Sequence, residues 1–193
     1  MLNGPPADTA IAMPSLILMR HAKSDWSQGT ADIARPLNKR GRAAAKRIGQ
    51  HLAETGMQPD RILCSPARRT RETLAKLLPH CTALREILFV PSLYEGMGTD
   101  YLSIIRAYGA DAENLMLIGH NSAMHETAVN LASGDPGPDF QTLATIFPTG
   151  APAVFSTEAY WSEIGPENVK LDSYVMPRAL QAEDGESGSD EEN

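Results

Sequence analysis

The sequence predicts an α/β protein, a three-layer α/β/α sandwich around a mostly parallel central sheet. Three observations carry that expectation. Short apolar runs alternate with helical patterns along the middle of the chain, turn-forming residues bound each run, and three of the runs end on Arg-His, Ser-Pro or Gly-His. Alternation of this kind implies parallel strands covered by helices on both faces. The 193 residues, 42% hydrophobic and 21% charged, suffice for the core of one domain and are few for two.

Taken in order, residues 1–13 are Gly/Pro-rich and unpatterned, and read as a flexible extension before a domain over 14–180. Leu16 to Met19 is a continuous apolar run suited to a buried strand, and it stops on Arg20 and His21. A helix then follows from the cap Asn38, with Ala44, Ile48 and Leu52 on its inner face and Gly56 as its stop. The plan repeats with a strand through Ile62 to Cys64, a Ser65-Pro66 turn with the proline at a helix start, and a helix to about Leu78. A further apolar run, Ile87 to Val90, leads into the Gly-rich stretch around Glu95. It repeats again with a strand from Leu115 to Ile118, a Gly119-His120-Asn121 turn, Ser122 as cap and a helix to about Ala132. The segments around Val154 and Leu171 stand closer together and are expected to finish the sheet antiparallel. Residues 181–193 contain no large apolar side chain and read as a disordered acidic tail.

Charge and composition exclude several functions. Six of the seven net negative charges belong to Glu183, Asp184, Glu186, Asp190, Glu191 and Glu192, so the rest of the chain is almost neutral and a nucleic-acid partner is not expected. Cys64 and Cys81 fit neither a disulfide framework nor a zinc spacing, and read as free thiols. No apolar run approaches the ~20 residues of a membrane span, and no charged start precedes an apolar core as in a secretory signal. A cytoplasmic protein without a membrane partner is expected.

The strand ends point to chemistry. In an open α/β sheet the carboxyl ends of the strands line the ligand crevice, and helices starting there aim free N–H groups into it. Arg20-His21, the Ser65 to Arg69 turn and Gly119-His120-Asn121 are therefore expected to meet. Two histidines and two or three arginines without a matching carboxylate cluster suit a compact dianion, above all a phosphoryl group. A lone Arg-His pair at a strand end would be unremarkable; three such ends together are not.

Arg20-His21-Ala22, the "SPARRTRET" stretch and Gly119-His120-Asn121 resemble the histidine phosphatase superfamily, the phosphoglycerate-mutase-like clan. "MRHAKSDW" and "RPLNKRG" are most similar to its SixA-type phosphohistidine phosphatase branch. The resemblance spans about residues 14 to 178. It implies the phosphoglycerate-mutase-like fold, His21 as a transiently phosphorylated nucleophile, Arg20 as its phosphate-binding neighbour, Arg69 as a second phosphate-binding arginine and His120 as the second histidine. Ser24 and Ser27 match positions that contact substrate phosphate in relatives, although mutases commonly carry Asn where Ser27 stands and Gly where Ala22 stands. Asn121 is a further substrate-binding candidate. Arg68 reads as a surface residue.

Physical chemistry supports these roles separately. A histidine attacks phosphorus only when neutral, and flanking arginines disfavour the imidazolium while leaving a nitrogen lone pair. The charge of a transferring phosphoryl group spreads over three equatorial oxygens, which Arg20, Arg69, His120 and helix N–H groups are suited to hold. No metal and no other cofactor is required. Glu95 is the candidate proton donor, at even weight with a solvated loop carboxylate, and Asp100 is a weaker one that suits a helix's first turn. His51, His80 and His125 read as structural or exposed. Cys64 fails the Cys-x5-Arg spacing because position 70 is Thr70.

The expected function is a metal-independent phosphatase working through a phosphohistidine intermediate. Its expected substrate bears phosphate, with a phosphorylated histidine-containing signalling protein favoured. The alternatives are a small-molecule phosphoester phosphatase and a non-catalytic module that binds a phosphorylated ligand.

Overall fold

The computed structural model describes residues 13–27, 29–95 and 100–180. The predicted acidic tail at 181–193 and all of the predicted N-terminal extension except Met13 lie outside the described residues, as does the Gly96-Met97-Gly98 run.

Six strands among the described residues form one sheet: β1 (Ser15–Arg20), β2 (Arg61–Cys64), β3 (Glu86–Phe89), β4 (Asn114–Gly119), β5 (Pro152–Thr157) and β6 (Val169–Tyr174). The order across the sheet is β3-β2-β4-β1-β5-β6. The first four run parallel, and β5 and β6 close one edge antiparallel, as the spacing of the late segments predicts. Between the strands lie α1 (Lys39–Glu54), α2 (Arg68–Leu77), α3 (Ser92–Glu95), α4 (Tyr101–Tyr108), α5 (Ala123–Ala132) and α6 (Phe140–Thr145).

The side-chain alternation of a strand divides the core in two. Leu16 and Leu18 of β1, Leu63 of β2, Leu115 and Leu117 of β4 and Phe155 of β5 pack with residues of α4, α5 and α6. Ile17, Met19, Ile62, Cys64, Met116 and Ile118 point the other way, onto Ile48 and Leu52 of α1 and Leu74 and Leu77 of α2. Burial on both faces is why these strands read as unbroken apolar runs.

Helix α1 starts where predicted, with the Asn38 side chain accepting a hydrogen bond from the Gly41 amide at 2.8 Å. It ends at Thr55, after which Gly56 takes a φ of 75°. Its fully buried alanine is Ala45; Ala44 is half-buried, one residue off the stripe that Ala45, Ile48 and Leu52 form on a 3.6-residue period. Helix α2 begins at Arg68, so Pro66 stands just before its first turn instead of inside it. Ser122 occupies the cap position of α5 without a side-chain capping bond. Among the described residues, no helix is long and apolar enough to cross a membrane.

Candidate active site

Strands β2, β4 and β1 are neighbours, so their carboxyl ends open side by side. The His21 amide donates to the Gly119 carbonyl at 3.0 Å and the Ser65 amide to the Ile118 carbonyl at 3.0 Å, which extends the ladders by one residue past each strand. This brings Arg20-His21, Ser65 to Arg69 and Gly119-His120 together.

His21 is 7% exposed. Its Nδ1 lies 2.8 Å from the Ala22 carbonyl oxygen, and since a carbonyl only accepts, that nitrogen carries the proton. The Nε2 lone pair is left over, and it accepts the Arg69 Nε–H at 3.2 Å. Burial lowers the His21 pKa to about 3; the Ala22 carbonyl opposes the shift, and the charges of His120, Arg69 and Arg20 add to it. The neutral ring is therefore the resting form, with its lone pair on a defined atom.

The two imidazoles lie with centroids 5.1 Å apart. His120 Nε2 is 2.8 Å from the Ser65 hydroxyl, while its Nδ1 is buried without a partner. Burial, and then the Arg69 charge, lower the His120 pKa to about 4, against an opposing pull from Asp32. The His120 amide donates to the Tyr101 hydroxyl at 3.2 Å. Gly119 permits that approach, because a Cβ there would sit 2.7 Å from the tyrosine ring.

Arg69 is 5% exposed and is held by Asp32, with Nη1 on its backbone oxygen at 2.7 Å and Nη2 on its carboxylate at 3.0 Å. The other carboxylate oxygen of Asp32 takes Arg35 Nη2 at 2.8 Å, and the Tyr94 hydroxyl donates to Asp32 at 3.2 Å. Burial pushes the Asp32 pKa up but is outweighed by Arg69 and its neighbours, so the group is held below the usual carboxylate range. Arg35 stacks over the Trp26 ring, 3.4 Å from its centroid. Arg20 Nη1 donates to the Phe147 carbonyl at 2.8 Å, and the same oxygen accepts from Asn121 Nδ2 at 3.1 Å.

A cleft of about 620 Å³ opens here, with Asp32, Arg69, Tyr94, Glu95, His120 and Asn121 among its lining residues. Glu95, at the end of α3, is exposed on this cleft. Asp100 caps α4, its carboxylate accepting from the Leu102 amide at 2.9 Å. Ser24 and Ser27 do not line the cleft: Ser24 is buried where its backbone bridges Leu37, and Ser27 is exposed and bonded to Asp25 through its amide and hydroxyl. Arg68 pairs on the surface with Glu72 at 2.6 Å. His125 donates to the Leu143 carbonyl at 2.7 Å, a structural tie. Burial pushes the Cys64 thiol up to about 12, the reverse of an activated thiolate.

Asp32, Arg35, Tyr94 and the Ser65 hydroxyl are site residues that sequence reasoning did not single out. Arg35 stands inside the quoted "RPLNKRG" stretch, and an arginine just upstream of a helix cap was the one available signal.

Chemically, the arrangement presents an imidazole lone pair beside two arginines and an unpartnered imidazole nitrogen. Among the described residues, Arg20 Nε, Arg35 Nε and His120 Nδ1 are the buried side-chain polar atoms without a hydrogen-bond partner. Native folds rarely leave such atoms unsatisfied; His120 lines this cleft with Arg69, and its open nitrogen there suits a polar ligand such as a tetrahedral oxyanion.

Depressed histidine pKa values also make stability depend on pH. Unfolding restores each histidine to near its ordinary value of 6.5, so the unfolded chain binds protons that the folded one refuses. This stabilisation is complete above pH 6.5 and is lost as pH falls toward the folded values. Urea unfolding between pH 6.5 and 5 is expected to show stability falling by up to about 1.4 kcal/mol per pH unit for each of the two residues, and His21→Asn is expected to remove one share. A slope of zero in the wild type would show that both rings protonate freely in the fold.

The family model of the histidine phosphatase superfamily (branch 1) matches residues 16–101. An uncharacterised chloroplastic protein of Arabidopsis thaliana is 34% identical over 172 residues, which cover 84% of this chain and 77% of that protein. Among solved structures, a protein of Nakamurella multipartitia assigned as the phosphohistidine phosphatase SixA superposes with a TM-score of 0.74 at 28% identity, covering 85% of this chain and 96% of its own. Another, assigned as SixA from Agrobacterium tumefaciens, superposes with a TM-score of 0.69 at 30% identity, covering 86% of this chain and 99% of its own.

Proposed function

This chain belongs to the histidine phosphatase superfamily, in its SixA-type branch, and from that premise we propose that it removes the phosphoryl group from phosphohistidine in a protein, through a covalent intermediate on His21. It is a histidine phosphatase with an α/β fold of the phosphoglycerate-mutase-like kind, and it acts on phosphate-bearing substrates. The observation that carries the finer reading is the neutral His21 ring, whose Nδ1 proton is engaged by the Ala22 carbonyl and whose Nε2 lone pair faces Arg69.

In the proposed reaction, the Nε2 lone pair forms a bond to phosphorus as the bond from phosphorus to the substrate nitrogen breaks. The departing imidazole keeps that electron pair. If its other nitrogen is protonated, it leaves neutral and needs no acid. His21 becomes a phosphoimidazolium whose Nδ1–H remains on the Ala22 carbonyl. Water then attacks phosphorus, the N–P bond returns its electrons to Nε2, and inorganic phosphate and a proton are released. Arg20, Arg69 and His120 serve as the groups that meet the equatorial oxygens, and Asn121 as a substrate contact. For Arg69 this means exchanging Asp32 for substrate, one anion for another. Ser24 and Ser27 contribute to substrate contacts only if their loop rearranges.

The test compares purified protein on a phosphorylated histidine-containing phosphotransfer domain with a panel of small phosphoesters. A clear preference for the phosphohistidine protein supports the reading, and a preference for any ester overturns it. Turnover should be blocked by vanadate and indifferent to EDTA.

Exposure of Glu95 on the same cleft favours a second reading, a small-molecule phosphoester phosphatase with Glu95 as proton donor. An alkoxide must be protonated as it departs, so in that case Glu95→Gln slows alkyl phosphates by roughly 10² to 10⁴ while sparing an activated aryl phosphate. On the phosphohistidine reading, Glu95→Gln is expected to leave phosphohistidine hydrolysis nearly unchanged. Equal, small effects on all three leaving groups would make Glu95 a solvated rim carboxylate.

A further inference from the structure

A second cleft, of about 570 Å³, lies beside the first, and no described residue lines both. They meet at the Phe147 carbonyl, which takes Arg20 from one side and Asn121 from the other. Four cations line this second cleft: Arg20 from the end of β1, Lys23 from the loop after it, Arg40 from the first turn of α1, and Arg178 from the segment after β6. Among the described residues, no Asp or Glu lines it. Ala44, Ile146, Met176 and two prolines make the rest of its wall mainly apolar.

Several arginines elsewhere on the described surface are matched by carboxylates. Arg61 pairs with Glu86 and Asp111, Arg68 with Glu72, Arg85 with Asp60, and Arg35 with Asp32. Among the described residues, no carboxylate pairs with Arg20, Lys23, Arg40 or Arg178, and Arg20 Nε is also buried without a partner. Like charges gathered in a concave, partly apolar wall repel one another and focus a positive potential that an anion relieves. The cations come from separate segments, so they can engage separate anionic groups, and the apolar wall between them suits a carbon frame.

We propose that this cleft is a second anion-binding site, for a small organic anion that carries at least two negative charges on an apolar frame. The site shares Arg20 with the phosphoryl-binding set but is otherwise separate from it, since its lining includes neither His21, Arg69 nor His120. Guanidinium and ammonium groups supply the charge recognition, and Ile146 and Met176 bury the frame.

The test uses 1,5-naphthalenedisulfonate, which carries two fixed negative charges on an aromatic frame and cannot be hydrolysed. Calorimetric titration of the full chain at low salt is expected to show one site. The double variant Arg40→Gln/Arg178→Gln is expected to weaken it at least tenfold while keeping wild-type turnover of an aryl phosphate, and added salt is expected to weaken it too. Arg69→Gln is expected to keep probe binding while losing turnover. Binding that survives in the double variant but vanishes in Arg69→Gln would place the probe on the phosphoryl site and overturn the proposal. Absence of binding at millimolar probe would overturn it as well. If the wild type turns over no phosphorylated substrate, the functional reading fails while the binding result stands.

Discussion

His21→Ala is expected to abolish the acid-labile phosphoenzyme and to lower turnover by on the order of 10⁴-fold or more, the scale seen when a nucleophile is removed from a constellation that acts as a unit. Nearby groups are held in other roles. His120 stands with Nε2 on Ser65, and the Cys64 thiol is buried and held protonated by a pKa near 12. Rapid quench with labelled substrate measures the phosphoenzyme directly. Label trapped on another residue, with turnover retained, would overturn the assignment. His21→Asn serves as a fold control, since it retains a polar side chain near the Ala22 carbonyl. A variant that melts like the wild type while failing to take up label separates lost chemistry from lost structure.

Arg69→Gln is the second large effect, because one guanidinium does three things. It donates to the His21 lone pair, its charge helps to keep both histidines neutral, and it is held by two bonds to Asp32. Loss of one preorganised donor to a reacting oxyanion costs roughly 10² to 10³ in rate. A decrease of that size in kcat is expected for Arg69→Gln. The acid limb of the pH profile is also expected to move up, toward the ordinary histidine value, because a positive charge beside both rings has gone. Arg69→Lys keeps the charge but not the planar fork, so it is expected to preserve the acid limb while recovering only part of the rate. A rate loss below tenfold in Arg69→Gln would remove this residue from the phosphate-binding set. A rate loss with an unmoved acid limb would show that its charge does not govern the histidines.

Much of the framework was legible in the sequence because it rests on local signals. Leu16 to Met19 and Leu115 to Ile118 are runs apolar on both alternating faces, which only a doubly covered strand tolerates. Asn38 and Gly56 mark the ends of α1 through backbone chemistry that acts within a few residues. The convergence of Arg20-His21, the Ser65 to Arg69 turn and Gly119-His120 follows from parallel topology, since strands running the same way open their carboxyl ends along the same edge.

The rest depended on contacts between residues far apart in the chain. Asp32 reaches Arg69 across 37 positions, and Tyr94 reaches Asp32 across 62, so neither partner is marked by its neighbours in sequence. The position of Glu95 on the cleft and the sorting of Arg20, Lys23, Arg40 and Arg178 onto a second cleft are likewise products of packing. By itself the sequence determined the layers, the strand ends and which histidines and arginines stand at them, because periodicity, capping and turn formation are written in adjacent residues. Only the tertiary structure decided which nitrogen of His21 keeps its lone pair and how Arg69 is held, because burial, tautomer and charge pairing depend on groups that meet only when the chain is folded.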